Sequence, residues 1–160
     1  MSNRINRTGE DATMRRRRVR YYSVAVIIVL LLFLLIQIIP YGKDHTNPAV
    51  VSEPKWDSQQ TRDLVQRACF DCHSNETVWP WYSNVAPVSW LLYHDVTEGR
   101  QRMNFSDWQN YYLKDTAELA SVISEGEMPP VQYLLMHKSA RLSGAEKTQL
   151  VSGLQKTISQ

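Results

Sequence analysis

Both cysteines of this 160-residue chain fall inside one short run, Cys69-Phe70-Asp71-Cys72-His73. A Cys-x-x-Cys-His run has the spacing of a covalent attachment site for haem of the c type. On a helix, residues three apart lie on neighbouring faces, about one turn of rise between them. Two thiols so placed can each add to one vinyl group of the same porphyrin. The histidine next in line is then held where an imidazole nitrogen can take the proximal iron position. Two other chemistries use the same residues. A thiol–disulfide oxidoreductase also carries Cys-x-x-Cys, but no βαβ pattern surrounds this one. A zinc site built on Cys69, Cys72 and His73 lacks a fourth ligand.

A second iron ligand is sought among the methionines and histidines. Met128 stands out because Pro129 and Pro130 follow it, so it sits on a stiff, non-helical loop. From there its thioether could approach iron from the distal side and raise the potential relative to a second histidine. Met103 and Met136 lack the following proline, and Met14 lies near the N-terminus. A methionine is more often core filler. His94, His137 or an open sixth position are the alternatives, and His45 falls in a loop. The aromatic run Trp79-Pro80-Trp81-Tyr82, close after the motif, is expected to line the haem, with indole and phenol tips reaching polar partners. Arg100 and Arg102 could meet propionates, although solvated basic residues are the plainer reading.

The elements that position these residues are helical. Asp57 or Ser58 should cap a first helix, in which Leu64, Val65, Ala68, Cys69 and Cys72 recur at helical spacing. That pattern carries the thiols on the apolar face. Pro87 should open a second helix with the stripe Val88, Leu91, Leu92 and Val96, closed by Gly99. Ser106 or Asp107 should cap a third region running from Trp108 through Leu113, Ala117, Ala120, Val122 and Ile123 to Gly126. Ser143 and Glu146 form a capping box for the last helix, whose face is Leu150, Val151, Leu154 and Ile158. That helix should pack across the first. No repeat, low-complexity run or sustained strand alternation is present, so the fold class is all-α.

Charge and hydropathy give the chain a direction. Residues 1–20 carry seven arginines against Glu10 and Asp11, a net +5, whereas the remaining 140 carry 11 basic and 14 acidic side chains, a net −3. A basic head could contact nucleic acid or anionic lipid. The sequence after it favours the membrane. Residues 21–39 are apolar except for Ser23 and Gln37, and nineteen helical residues cover roughly 28 Å, close to the hydrocarbon thickness of a bilayer. The arginines flank only the N-terminal side, which places residues 1–20 in the cytoplasm and the rest outside. Tyr21, Tyr22 and Tyr41 stand where interfacial aromatics belong. The run is long for a signal peptide, and Ile38-Ile39-Pro40-Tyr41 offers no small-residue cleavage site. Residues 40–56, with Pro40, Pro48 and Pro54, read as a semi-rigid linker that holds a domain of residues 57–160 off the membrane. The outer face is also the compartment in which c-type haem attachment takes place.

The chain resembles the small haem-binding domain proteins related to class I cytochromes c. The likeness covers roughly residues 45–158 and rests on His45-Thr-Asn-Pro48, Ala68-Cys-Phe-Asp-Cys-His-Ser74, Trp79-Pro-Trp-Tyr-Ser83, Ala86-Pro-Val-Ser-Trp90, Asn104-Phe-Ser106 and Gly126-Glu-Met-Pro-Pro130. It implies a cytochrome c-like helical domain around one covalent haem c. Cys69 and Cys72 would be the thioether residues, His73 the proximal ligand and Met128 the distal one. The function expected is that of a single-pass, membrane-anchored monohaem cytochrome on the outer side of a prokaryotic cytoplasmic membrane. It would pass single electrons between outer-face redox proteins and have no nucleic-acid partner. A haem-based ligand sensor with a labile sixth site is the alternative. A small peroxidase would need a distal acid–base group, for which His94 and His137 are the histidine candidates.

Overall fold

The computed structural model describes the backbone of residues 2–110 and 115–160 and the side chains from Thr13 onward. Leu113, expected on the third helix, lies outside the described residues, as do the side chains of Glu10 and Asp11. Among the described residues every regular element is helical, apart from one isolated bridge between Ser52 and Asp107.

Helix α1, Ser2–Ile36, joins the basic head and the apolar run in one element. Within it, Thr13–Ile36 forms a 24-residue stretch long and apolar enough to cross a membrane. The two polar interruptions of residues 21–39, Ser23 and Gln37, each hydrogen-bond back to a carbonyl four residues earlier. Ser23 Oγ donates to the Val19 carbonyl, and Gln37 Nε2, one residue past the helix, donates to that of Phe33. The helix therefore stops three residues short of the expected Ile39.

Residues 40–56 do not behave as a spacer. Gln37 reaches across to Ala86, donating to its carbonyl at 3.0 Å and accepting from its N–H at 2.9 Å. Further along, Ser106 O accepts from the N–H groups of Val51 and Ser52, and Trp108 N–H donates to Ser52 O. Asn47 and Ala49 are tied to Thr77 and Asn75. The prolines exclude helix as expected, but the freed backbone groups pair with the domain instead of water.

Helix α2, Gln59–Ala68, is capped by Ser58, whose Oγ accepts from Thr61 N–H. A break at Cys69 separates it from the short α3, Phe70–His73. The Cys69 carbonyl accepts from both Cys72 and His73 N–H groups, so the motif is a tight turn of its own and not the end of a continuous helix. A 3-10 turn over Trp81–Asn84 leads into α4, Val88–Arg102.

The inner face of α4 differs from the expected stripe. Val88 and Leu91 are exposed, while Ser89, Val96 and Gly99 are buried. Small residues mark the two places where another backbone crosses α4. A Cβ on Gly42, which sits at φ +76°, would lie 2.5 Å from Ser89 O, and one on Gly99 would lie 2.5 Å from Cys72 O. Gly99 is thus a crossing point inside the helix and not its terminator.

Helix α5, Thr116–Glu125, begins later than expected because Asp115, not Ser106 or Asp107, caps it, accepting from Ala117 and Glu118 N–H groups. Ser106 is fully buried and receives Asn75 N–H on its Oγ. Gly126 ends α5 in the left-handed region, as its position implies. The short α6, Val131–Met136, follows, and α7, Gly144–Ile158, closes the domain from its Ser143–Glu146 capping box.

The core is Leu64 and Val65 of α2, Phe70, Met103, Phe105, Leu119 and Ile123 of α5, and Leu150 and Leu154 of α7. Phe105 is its centre, with Trp56, Phe70 and Trp108 rings at 5.4, 5.8 and 5.6 Å. Helix α7 crosses α2 where Gly153 meets Thr61, whose side chain leaves no space for a Cβ.

Leu154 is 1% exposed, so Leu154→Ala should lower unfolding stability by about 2–5 kcal/mol in a urea titration. Glu146 supplies a pH-dependent contribution. Its hydrogen bond with Arg67, followed by those from Ser143, holds its carboxyl down to about 2 from an ordinary 4.5. The stabilisation is complete above pH 4.5 and is lost as pH falls through about 2. The difference in melting temperature between wild type and Glu146→Gln should therefore shrink steadily from pH 5 to pH 2.

Candidate haem site

Cys69, Cys72 and His73 come together with Met128 on the wall of one cleft of about 410 Å³. Ala68 and the motif form one side of its lining, Leu119, Val122 and Ile123 of α5 another, and Leu150 and Leu154 of α7 reach it from the core. His94, Asp95, Glu98 and Arg102 of α4 supply its charged part. Leu64, Val65, Ala68 and Phe70 fix the motif by burial, so the helical spacing that carries the cysteines also seats them against the core.

Each motif residue has a defined environment. Burial pushes the Cys69 thiol up to about 12, and Cys72 adds to the effect. Burial likewise raises Cys72 to about 12, with Asp95 and Asp71 contributing. Both sulfurs are therefore protonated and uncharged at neutral pH. His73 is shifted the other way: burial lowers its pKa and outweighs the hydrogen bonds to the Met103 and Gly99 carbonyls. Its Nδ1 lies 3.1 Å from Met103 O. That carbonyl can only accept, which assigns the proton to Nδ1 and leaves the Nε2 lone pair free to bind a metal.

Asp71, between the cysteines, is a site residue that its position in the motif did not mark. Its Oδ1 accepts from Val78 N–H at 3.0 Å, and its Oδ2 accepts from the Tyr133 hydroxyl at 2.6 Å. Tyr133 lines the cleft and its pKa is raised, first by burial and then by that hydrogen bond. The motif is thereby connected to α6, which follows directly on Met128, Pro129 and Pro130. The Met128 loop is held from the other end by Met128 N–H donating to Val122 O. Gly99 is the second residue missed. Its sequence signal, a glycine within a run of helical residues, has two readings, and the end of a helix is the commoner one.

The aromatic run is placed elsewhere. None of Trp79, Trp81 and Tyr82 lines the cleft that holds the cysteines. Trp79 stacks on His45 at 4.5 Å and donates from Nε1 to Asn47. Trp81 is 77% exposed, and the Tyr82 hydroxyl faces His137 Nε2 at 3.4 Å. His137 stacks on Tyr133 at 4.0 Å outside the cleft lining. The polar partners of the indole and phenol tips are thus other side chains. Arg100 is also structural: it donates to Ser74 O, Asn47 Oδ1 and Thr77 Oγ1. Arg102 is exposed and pairs with Glu98 at 3.9 Å. Met103 is buried in the core, and Met136 is exposed on α6.

The donor set suits haem better than its competitors. Thiol–disulfide exchange proceeds through a thiolate of depressed pKa, the opposite of what burial imposes here. Among the described residues no group of three or more histidine, cysteine, aspartate and glutamate side chains is arranged to hold a metal ion, so no zinc-type cluster supports that reading. A neutral imidazole with a committed Nδ1, two thiols in an apolar wall and one thioether are what an iron porphyrin can use. Comparison with known families gives haem as the group the chain binds: residues 31–156 match the model of a haem-binding domain. The chain belongs to the haem-binding domain family. No curated protein and no solved structure matches it.

The Gly99 crossing gives this haem-binding protein a testable weak point. Gly99→Ala must push α4 off Cys72 and should destabilise by about 1–3 kcal/mol, with less haem retained on purification. Gly144→Ala, with no atom within 4 Å of its Cβ, should retain wild-type haem content in the same absorbance assay.

Proposed function

We propose that the protein is a membrane-anchored monohaem c-type cytochrome, with a cytochrome c-like fold, that passes single electrons on the outer face of a prokaryotic cytoplasmic membrane. The reading is carried by one observation: Cys69, Cys72, His73 and Met128, drawn from two distant parts of the chain, line a single cleft. In this reading Cys69 and Cys72 hold one haem c through thioether bonds, and His73 and Met128 are its iron ligands. When bound, the haem supplies one-electron iron chemistry.

The chain's own residues would set the conditions for that chemistry. Met103 O fixes the imidazole ring and raises its basicity as a ligand. The Asp71–Tyr133 hydrogen bond holds α6, and with it the segment carrying Met128. The apolar wall from α5 and α7 keeps water from the ring, which favours transfer with little solvent rearrangement. Helix α1 would tether the domain, with its arginines on the cytoplasmic side. The redox partners would be other proteins of the outer face, and no nucleic acid is involved.

Met128 is 41% exposed, and that favours a second reading, a labile sixth ligand displaced by a small gas in a sensor. An optical spectrum of the full chain in detergent separates the two. A low-spin six-coordinate spectrum in both redox states, unchanged by carbon monoxide, supports the electron carrier. A reduced protein that binds carbon monoxide at once supports the sensor. Cys69→Ser together with Cys72→Ser should abolish haem staining on a denaturing gel, and persistence of the stain would refute covalent attachment. Met128→Ala should lower the reduction potential and open the iron to carbon monoxide, whereas Met136→Ala should do neither.

A further inference from the structure

Apolar surface lies beside the outer end of α1, and none of it is used by the haem cleft. Gln37, the first residue past Thr13–Ile36, is clamped to Ala86 by two hydrogen bonds. Gly42 packs on the backbone of Ser89, and Lys43 Nζ donates to Gln37 O. The start of α4 and the turn before it are therefore held against the end of the apolar helix. There Trp81 is 77%, Val88 42% and Leu91 47% exposed, and Ile38, the residue after the clamped Gln37, is 77% exposed.

The length of α1 says what covers them. From Arg20 to Ile36 the helix rises about 24 Å at ~1.5 Å per residue, less than the ~30 Å of a bilayer's hydrocarbon core. The hydrocarbon boundary then reaches or passes Ile36, and whatever is clamped there sits at interfacial depth. Tryptophan and aliphatic side chains are stable at that depth, with the indole N–H left toward water. A lysine at the same level meets lipid phosphates.

We infer that residues 81–91 dock on the membrane that α1 crosses, with Trp81, Val88 and Leu91 at the boundary of headgroups and acyl chains. The occupant of this apolar surface is the bilayer itself, and the inference rests on the reading of α1 as a span. The haem domain is accordingly held in one orientation at the lipid surface.

The test is photo-crosslinking of the full haem-loaded chain in phosphatidylethanolamine–phosphatidylglycerol vesicles that contain a phospholipid with a diazirine near the top of its acyl chain. Adducts are mapped by peptide mass spectrometry. The expected result is lipid on α1 and on residues 81–91, with a several-fold excess over α6. Helix α6 is the internal control, since its Val131, Leu135 and Met136 are exposed at 71%, 65% and 62%. The triple variant Trp81→Glu, Val88→Glu, Leu91→Glu should keep its haem stain and its α1 adducts but lose those on residues 81–91. Adducts on α1 without any on residues 81–91, or equal labelling of α6, overturn the docking and leave the span intact. Absence of adducts on α1 overturns the span and the docking together.

Discussion

The contact on which the domain depends is the approach of α4 to the Cys69–His73 turn at Gly99. With only a hydrogen in the way, the α4 backbone comes against Cys72 and continues so that Met103 O meets His73 Nδ1. Phe105 N–H then donates to His73 O at 2.8 Å, which delivers the Phe105 ring to the centre of the core. One small residue thus sets the tautomer of the candidate ligand and the position of the largest buried ring. The burial that follows also favours the uncharged forms, since desolvation dominates the shifts of His73, Cys69 and Cys72 alike.

Several elements were legible in the sequence because the signals are local. Ser58 and the Ser143–Glu146 box cap helices within three residues of themselves, and Gly126 takes the conformation that only glycine accepts cheaply. Haem binding as such was legible because Cys-x-x-Cys-His carries its chemistry in residue type and spacing, and the family match agrees with it. What escaped was set by contacts distant in sequence. The α4 stripe held at Val96 but not at Val88 and Leu91, because the inner face is chosen by backbone crossings at Ser89 and Gly99, where small size matters more than hydrophobicity. Ser106 looked like a helix cap, yet it serves as a buried acceptor for Asn75, 31 positions away. The aromatic run was read as haem lining from its nearness in sequence to the cysteines. In space the run is held by His45, Asn47 and His137, and only the first two come from a segment that looked like a linker.

The segment between α1 and α2 changes the picture of how the two halves relate. Prolines were read as stiffness and distance. In the structure backbone groups of this segment are taken up by Ser106 and Asn75, and the Asn47 side chain donates to Thr77 O. The polar residue inside the apolar run, Gln37, is the one that fastens the helix end to the domain. A glutamine near the end of such a run is otherwise an unfavourable choice, and its side chain is fully engaged with Ala86 and Phe33.

Asp71 occupies one of the two positions of the Cys-x-x-Cys-His run that are written as free. Here it is not free, because its two oxygens hold Val78 and Tyr133. The pentapeptide is consequently not an interchangeable cassette. Transplanted into another host it would lose the partners of Asp71, and a foreign motif placed here would leave Tyr133 without its acceptor. A change at position 71 would therefore have to be answered at Tyr133 on α6, a constraint that the bare spacing of cysteines and histidine does not express.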